Sequence, residues 1–125
     1  MSILVLGATG FIGKYFCSNS KHKNLIKTSS KKKKGYVQFN LVKNDIKFLI
    51  QKYQIKKVIF FSAISNPDKC EKNIKYSNIV NVIKTKELLN YFIKNKIYFI
   101  FFSSEYVFNG NKKNYKEDSN KGTKL

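Results

Sequence analysis

Arginine and tryptophan are absent from the 125 residues, and proline occurs once. All 25 basic residues are therefore lysines, against 7 acidic residues, and the net charge is +18. Such a charge ordinarily indicates a nucleic acid or an anionic membrane as partner. Arginine, however, makes the best bidentate contacts to bases and phosphates, so its absence argues against specific nucleic-acid binding. Asparagine and isoleucine occur 14 times each. A/T-rich codons encode these two residues and lysine, so a compositional drift of the gene towards A and T explains much of the positive charge.

Cysteine, histidine and long apolar runs are also scarce. Cys17 and Cys70 lie far apart and His22 is the one histidine, so we expect neither a metal site nor a disulfide framework. The longest apolar stretches, 58–64 and 97–102, are too short to span a bilayer. No basic segment precedes the apolar start of the chain, so we expect no signal peptide, no membrane partner and a cytoplasmic location.

Apolar strands alternate with amphipathic helices along the chain. The patterns predict strands at 3–6, 25–28, 36–41, 57–61 and 98–102, and helices at 11–20, 45–53 and 74–95. Continuous apolar strands are typical of a parallel sheet that helices cover on both faces. A hydrophobic content of 42% indicates a folded core. The sequence therefore predicts an α/β fold with a doubly wound parallel sheet, as one small domain over residues 1–125.

Three glycines spaced three residues apart, Gly7, Gly10 and Gly13, follow the first strand directly. Glycine permits a tight, partly left-handed turn and lets a ligand approach the backbone closely. The helix that follows directs unpaired N–H groups and the positive end of its dipole to the same place, which suits a pyrophosphate. The alternative is a glycine-rich loop that binds nothing. The pattern favours a dinucleotide site made by Gly7, Thr9, Gly10, Phe11, Ile12 and Gly13.

The spacing G-x-x-G-x-x-G after Ile-Leu-Val-Leu resembles the opening of the extended short-chain dehydrogenase/reductase family. That family includes nucleotide-sugar epimerases, dehydratases and reductases. Residues 62–71 look like its loop beneath the cofactor ribose and pyrophosphate, which implies cofactor contacts from Ser62, Ala63 and Ile64. Residues 78–89 are similar to its helix pattern V-N-V-x-G-T-x-x-L-L, which places Asn81 at a buried polar position near the cofactor and a lysine where a glycine is usual. A purely structural role for Asn81 is the alternative.

Residues 101–110, F-F-S-S-E-Y-V-F-N-G, resemble the S-T-D-Y-V-F-D-G segment of the family's dTDP-4-dehydrorhamnose reductase branch. The match places Ser104 on the catalytic Ser/Thr, where a hydroxyl can hydrogen-bond a substrate carbonyl. The alternative is that these serines are ordinary residues of a strand end. The resemblance implies a Rossmann-type NAD(P)-binding domain of an oxidoreductase that acts on a nucleotide sugar, in polysaccharide (dTDP-rhamnose) biosynthesis.

The end of the second strand bears on the choice of cofactor. An NAD-selective site places an Asp or Glu there, but no acidic residue lies between Gly13 and Asp45. Ser30, Lys31 and the lysines that follow offer donors for a 2′-phosphate instead. The sequence therefore favours NADP as the cofactor, with NAD as the alternative. The alternative is that the lysines form a solvated loop and selectivity is loose.

The last residues depart from the family. Members carry a Tyr-x-x-x-Lys pair, in which the lysine lowers the pKa of a catalytic tyrosine. The tail G-T-K-L resembles the end of the family's Y-G-x-T-K-L, which makes Lys124 the catalytic lysine, but Asn120 stands where the tyrosine is expected. Family members also continue into a substrate-binding lobe. We therefore expect a cofactor-binding part, truncated before that lobe and inactive alone. The alternatives are a non-catalytic dinucleotide-binding or regulatory protein, a module completed by a partner, and a basic nucleic-acid-binding module.

Overall fold

The protein forms a five-stranded parallel sheet in the order β3-β2-β1-β4-β5. The computed structural model describes residues 2–104, 108, 110–111, 114–116 and 118. The strands are β1 (Ile3–Leu6), β2 (Leu25–Ser29), β3 (Val37–Gln38), β4 (Lys57–Phe60) and β5 (Tyr98–Phe101). The helices are α1 (Phe11–Asn19), α2 (Ile46–Lys52), α3 (Pro67–Lys72), α4 (Ile74–Asn78) and α5 (Thr85–Lys94), with a π-helical turn at Ile79–Lys84 between the last two. This is the α/β fold with a parallel sheet that the apolar runs predict.

The strand order creates a crevice beside β1. The chain adds β2 and β3 on one side of β1 and then returns to add β4 and β5 on the other side. In such a sheet the connections that follow β1 and β4 leave in opposite directions, and a ligand crevice forms at the carboxyl ends of these strands. The predicted glycine turn follows β1 and lies at this crevice.

The hydrophobic core lies on one face of the sheet. Leu4 and Leu6 of β1 and Val58 and Phe60 of β4 are fully buried there, and the ring of Phe92 is also inaccessible. Helices α2 and α5 close this face through Ile46, Leu49, Leu88 and Phe92. Helix α1 lies on the opposite face. Because all four residues of β1 are buried, its carboxyl end is a fixed position from which the site can be built.

Two connections differ from the sequence prediction. β3 ends at Gln38 rather than at residue 41, since the side-chain oxygen of Asn40 accepts hydrogen bonds from the N–H groups of Val42 (2.9 Å) and Lys43 (3.2 Å) and turns the chain. Residues 62–71 are not loop throughout, since Asn66 accepts a hydrogen bond from the N–H of Lys69 (2.9 Å) and caps α3. Pro67 occupies the first turn, where its missing N–H costs nothing.

The prediction of one continuous helix over 74–95 is wrong in its middle. Residues 79–84 form a π-helical turn, and the Thr85 hydroxyl donates to the carbonyl of Val80, five residues earlier, at 3.0 Å. The wider turn rotates the following residues relative to an α-helical count. Val82 and Ile83 of the expected apolar face are therefore exposed. Within the described residues, no helix is both long and apolar enough to cross a membrane.

Candidate dinucleotide site

Gly7 brings the end of β1 against the end of β4. The N–H of Phe61 donates to the carbonyl of Leu6 (2.9 Å), so the pairing of the two strands continues up to the turn. Gly7 then takes a φ of +78°, and a Cβ atom there would lie 2.7 Å from the amide nitrogen of Ser62. A side chain at this position would meet backbone, which cannot move aside. Glycine is therefore required for the contact between the turn and the segment that begins at Ser62.

Gly13 allows α1 to pack directly on the same turn. A Cβ atom at Gly13 would lie 2.3 Å from the carbonyl oxygen of Gly7 and 2.9 Å from the Cα atom of Ala8. Both Ala8 and Gly13 are buried in this contact. The first turn of α1 therefore packs directly on the backbone that follows β1, close to the edge of the sheet.

Gly10 is the position that faces outward. It caps α1 with an extended backbone (φ −70°, ψ 171°), and a Cβ atom there would approach protein atoms other than its chain neighbours no closer than 3.4 Å. No side chain caps the helix, so the N–H groups of Phe11, Ile12 and Gly13 have neither a cap nor an intrahelical acceptor. The absence of a Cβ at Gly10 leaves the approach to these donors open, as an anion requires.

Two adjoining hollows lie beside the turn, at the carboxyl ends of β1, β2 and β4. The smaller, about 90 Å³, is lined by Gly7, Thr9, Thr28, Ser30, Phe39, Leu41 and Ser62. The larger, about 220 Å³, is lined by Ser30, Asn40, Leu41, Val42, Ser62, Ala63, Ile64, Tyr76 and Val80. The structure thus brings together the predicted residues Gly7, Thr9, Ser30 and Ser62 in one crevice. A cavity of about 420 Å³ between residues 41–47 and α5 does not reach the glycine turn.

The structure adds wall residues that the sequence analysis missed. Thr28 is buried, and its hydroxyl donates to the carbonyl of Val5 at 2.9 Å, which fixes the strand end beneath the smaller hollow. Phe39 and Leu41 close the same hollow from the β3 side. Thr28 gave no distinct signal, because Lys27 and Ser29 on either side of it in β2 are polar as well. Phe39 and Leu41 gave no signal, because they look like ordinary strand residues.

Ser30 and Lys31 stand at the rim of the crevice. Both are exposed directly after β2, and Ser29 accepts a 3.3 Å hydrogen bond from the N–H of Lys31 through its hydroxyl oxygen. Across the turn, Tyr36 has the ammonium groups of Lys27 and Lys33 at 5.3 and 4.8 Å from its ring centroid. Positive charge therefore surrounds the end of β2, and no carboxylate occurs in this stretch of the chain.

Asn81 reaches the crevice through Ile64. Its side-chain oxygen accepts the N–H of Ile64 (2.8 Å), and its amide nitrogen donates to the carbonyl of the same residue (3.0 Å). The thiol of Cys70 donates to that carbonyl as well, at 3.2 Å. Asn81 sits in the π-helical turn, so the turn aims its amide at the segment after β4. It holds this wall of the crevice in place, and any contact with a cofactor stays a prediction.

The predicted catalytic residues are only partly within the described structure. Ser104 is exposed shortly after the end of β5, on the carboxyl side of the sheet. Lys124 and Asn120 lie outside the described residues. Tyr115 is described, and its ring stacks on that of Phe108 with centroids 4.5 Å apart. Burial raises the pKa of the Cys17 thiol on α1, and the nearby charge of Lys27 opposes the shift.

Comparison with known proteins identifies relatives over nearly the whole chain. The family described as RmlD substrate binding domain matches residues 1–123. Methionine adenosyltransferase 2 subunit beta of Xenopus tropicalis is 31% identical over 121 residues, which cover 93% of this chain and 36% of that protein.

Solved structures show the same fold. A hypothetical dTDP-4-dehydrorhamnose reductase from Sulfolobus tokodaii superimposes with a TM-score of 0.82 at 26% identity, over 98% of this chain and 46% of that one. A dTDP-4-dehydrorhamnose reductase from Clostridium acetobutylicum gives 0.72 at 23% identity, over 98% and 43%. The chain thus spans less than half the length of these relatives.

These matches confirm the predicted resemblance to dTDP-4-dehydrorhamnose reductases. The strands of the sheet, the glycine turn after β1 and residues 102–104 after β5 all fall within the matched region. The chain belongs to the RmlD substrate binding domain family.

Proposed function

We propose that the chain binds NADP at the glycine turn, as the cofactor-binding part of an oxidoreductase of nucleotide-sugar metabolism. The observation that carries this proposal is the contrast among the glycines. Gly7 and Gly13 are required for packing, whereas the missing Cβ of Gly10 leaves open space before the N-terminus of α1. Packing alone does not require a glycine at position 10, whereas the close approach of an anion to the helix N-terminus does. The residues present fit a dinucleotide.

Each part of the crevice has a distinct role in this proposal. The N–H groups of Phe11 and Ile12 bind the pyrophosphate, because they point outward from the helix end. Ser62, Ala63 and Ile64 form the floor beneath the ribose and pyrophosphate, and Asn81 holds that floor through Ile64. When bound, the nicotinamide of NADPH supplies a hydride.

The rim at β2 favours NADP over NAD in this proposal. The hydroxyl of Ser30 and the ammonium group of Lys31 supply donors for a 2′-phosphate, and Lys27 and Lys33 add positive charge nearby. An NAD-selective site instead uses a carboxylate on the ribose hydroxyls. Replacement of Lys31 by glutamate should therefore weaken NADP binding and leave NAD binding much less affected.

Calorimetric titration of the purified chain with NADP and NAD tests the assignment. We expect micromolar to millimolar affinity for NADP, and at least about a ten-fold loss in Gly10→Val, about 1.4 kcal/mol. Gly10 has an ordinary negative φ, so valine should not prevent folding. Ser20→Val is the matched control, because Ser20 has a similar extended backbone at the other end of α1. A folded protein that binds neither dinucleotide contradicts the site, and tighter binding of NAD contradicts the selectivity.

Catalysis requires more than the cofactor crevice. We propose that the Ser104 hydroxyl hydrogen-bonds a substrate carbonyl and that Lys124 acts beside it, as in the family pattern. With asparagine at position 120, the proton donor of that pattern is absent, and loss of a positioned general acid costs about 10²–10⁴-fold in rate.

The purified chain should therefore show no measurable NADPH oxidation with dTDP-4-dehydrorhamnose, and Asn120→Tyr alone should not restore it. Robust turnover that Ser104→Ala abolishes would contradict this expectation. In that case another residue, with Tyr115 as the nearest candidate, would supply the proton.

A non-catalytic dinucleotide-binding subunit is the second candidate function. It is favoured by the 31% identity to a protein that is itself named a subunit. The two candidates differ when the C-terminal part of the Sulfolobus tokodaii reductase is supplied as a separate chain. The test uses the Asn120→Tyr chain, which carries the proton donor of the family pattern, and turnover that depends on Ser104 favours the enzyme part. Dinucleotide binding without turnover favours the subunit, provided that the reductase's own N-terminal part restores activity in the same assay.

A further inference from the structure

Given the proposed dinucleotide site, the larger of the two hollows lies where the base of the cofactor belongs. In that site the pyrophosphate lies at the N-terminus of α1 and the 2′-phosphate at Ser30, so the ribose lies between them. The base extends from the ribose away from the pyrophosphate. Ser30 and Ser62 line both hollows; the smaller hollow adjoins the glycine turn, whereas the larger one runs from these serines to Asn40, Tyr76 and Val80.

Apolar residues form most of the wall of the larger hollow. They are Leu41, Val42, Ala63, Ile64 and Val80, with the ring of Tyr76 beside them. An apolar wall suits the faces of a planar base, while a few placed polar groups in such a pocket fix the orientation and the identity of the ligand. Ser30 and Ser62 lie where the two hollows meet, on the ribose side. Asn40 is therefore the amide side chain available to the edge of the base.

Asn40 is held in one orientation by the turn that follows β3. Its backbone N–H donates to the side-chain oxygen of Asn44 (2.7 Å), and its carbonyl accepts the N–H of Asn44 (3.0 Å). Its own side-chain oxygen accepts the N–H groups of Val42 (2.9 Å) and Lys43 (3.2 Å). Both lone pairs of that oxygen are therefore engaged. Because only the oxygen of an amide can accept these bonds, they also distinguish it from the nitrogen.

The side-chain nitrogen of Asn40, Nδ2, is left as a donor. Within the part of the chain that the structure describes, it has no hydrogen-bond partner. No buried side-chain nitrogen or oxygen of those residues lacks a partner, so Nδ2 is accessible from outside the protein. A donor needs an acceptor on the ligand. It can bond to a ring nitrogen such as N7 of adenine, but it cannot accept a hydrogen bond from the 6-amino group.

We propose, on the basis of the proposed dinucleotide site, that Asn40 contacts the purine base of the cofactor as a donor, from Nδ2 to an acceptor atom of the base. The site then recognises the purine without using its 6-amino group. Hypoxanthine carries a 6-oxo group in place of that amino group, which exchanges a donor for a further acceptor. Asn40 therefore determines a base specificity that admits a 6-oxopurine dinucleotide alongside the adenine one.

Two cofactors that differ at position 6 of the base provide the first test. Calorimetric titration of the purified chain with NADP and with nicotinamide hypoxanthine dinucleotide phosphate should give dissociation constants within about three-fold of each other. A preference for NADP of more than about ten-fold would overturn the proposal, because it would require an acceptor opposite the amino group. If neither cofactor binds, the dinucleotide site itself is refuted, and the role of Asn40 with it.

Aspartate at position 40 should create the missing preference for adenine. Asn40→Asp keeps an oxygen for the N–H groups of Val42 and Lys43 and replaces Nδ2 by a second acceptor. NADP should then bind at least about ten-fold more tightly than the 6-oxo cofactor. Asn44→Asp is the matched control, since it adds the same charge in the same turn but at a residue that lines the cavity beside α5; it should leave the ratio of the two constants unchanged. An unchanged ratio in Asn40→Asp, or an equal change in both variants, overturns the proposal.

Nuclear magnetic resonance of the unsubstituted chain gives a readout that does not depend on how a variant folds. The side-chain NH₂ signals of Asn40 should shift on saturation with NADP and also with the 6-oxo cofactor, whereas those of Asn44 should move much less. Saturable binding that shifts the glycine turn but leaves the Asn40 NH₂ signals in place would contradict the proposal and leave the dinucleotide site intact.

Discussion

Replacement of Gly7 by alanine tests whether the close contact between the turn and β4 shapes the site. Gly7 and Gly35 have the same φ of +78°, so alanine meets the same backbone strain at both positions. Left-handed backbone costs an L-residue roughly 1–2 kcal/mol. The two positions differ in space: a Cβ at Gly7 lies 2.7 Å from the nitrogen of Ser62, whereas no atom lies within 4 Å of a Cβ at Gly35.

The difference between the two variants isolates the cost of the contact. Overpacking against structure that cannot yield costs about 1–3 kcal/mol. Gly7→Ala should therefore lower the free energy of unfolding by about 2–5 kcal/mol, and Gly35→Ala by about 1–2 kcal/mol at most. Urea unfolding followed by circular dichroism measures both, with equal m-values as the check that the unfolded states are comparable. Equal losses in the two variants would refute the close approach of the turn to Ser62.

Three further predictions concern other parts of the chain. Asn81→Ala should lower the free energy of unfolding by about 1–3 kcal/mol, because the N–H and the carbonyl of Ile64 each lose a hydrogen bond to Asn81. The exposed control Asn90→Ala should change it by no more than about 0.5 kcal/mol. Equal effects of the two substitutions would contradict the role of Asn81 in holding Ile64. Burial raises the pKa of the Cys17 thiol, so the folded state favours its protonated form. The contribution of this thiol to the free energy of unfolding is therefore complete at neutral pH and is lost as the pH rises past about 8.5. A difference between wild type and Cys17→Ser that does not shrink above that pH would refute this. DNA and RNA binding should be weak, indifferent to sequence and largely lost between about 50 and 200 mM salt; tight, sequence-selective binding at 200 mM would favour the nucleic-acid module.

Much of the sheet could be predicted, because apolar runs bounded by polar turns are a local signal. β1 and α2 are observed at or within one residue of their predicted bounds. Helix α3 was missed, since residues 62–71 were predicted as a loop, although Asn66, Pro67 and Asp68 form a typical helix start. The π-helical turn at 79–84 was not readable, because it depends on how Asn81 and Thr85 bond after the chain has folded.

The candidate site, too, could be predicted only in part. The glycine spacing predicts the turn after β1, but not the different roles of Gly7 and Gly10, which depend on how close β4 comes. Similarly, the family pattern draws attention to Asn81, but its partner Ile64 lies 17 residues away and is known only from the fold.

Chemical-shift mapping of the isotope-labelled chain tests the central claim most directly. Titration with NADPH should shift the backbone amides of Phe11, Ile12 and Gly13, whose N–H groups lie at the uncapped end of α1, together with those of Ser62 and Ala63 beside them. The amides of α5, on the other side of the sheet, should stay unchanged. Saturable binding whose shifts cluster in α5 or in the lysines of 31–34, with the glycine turn unaffected, would contradict the assignment of the dinucleotide site.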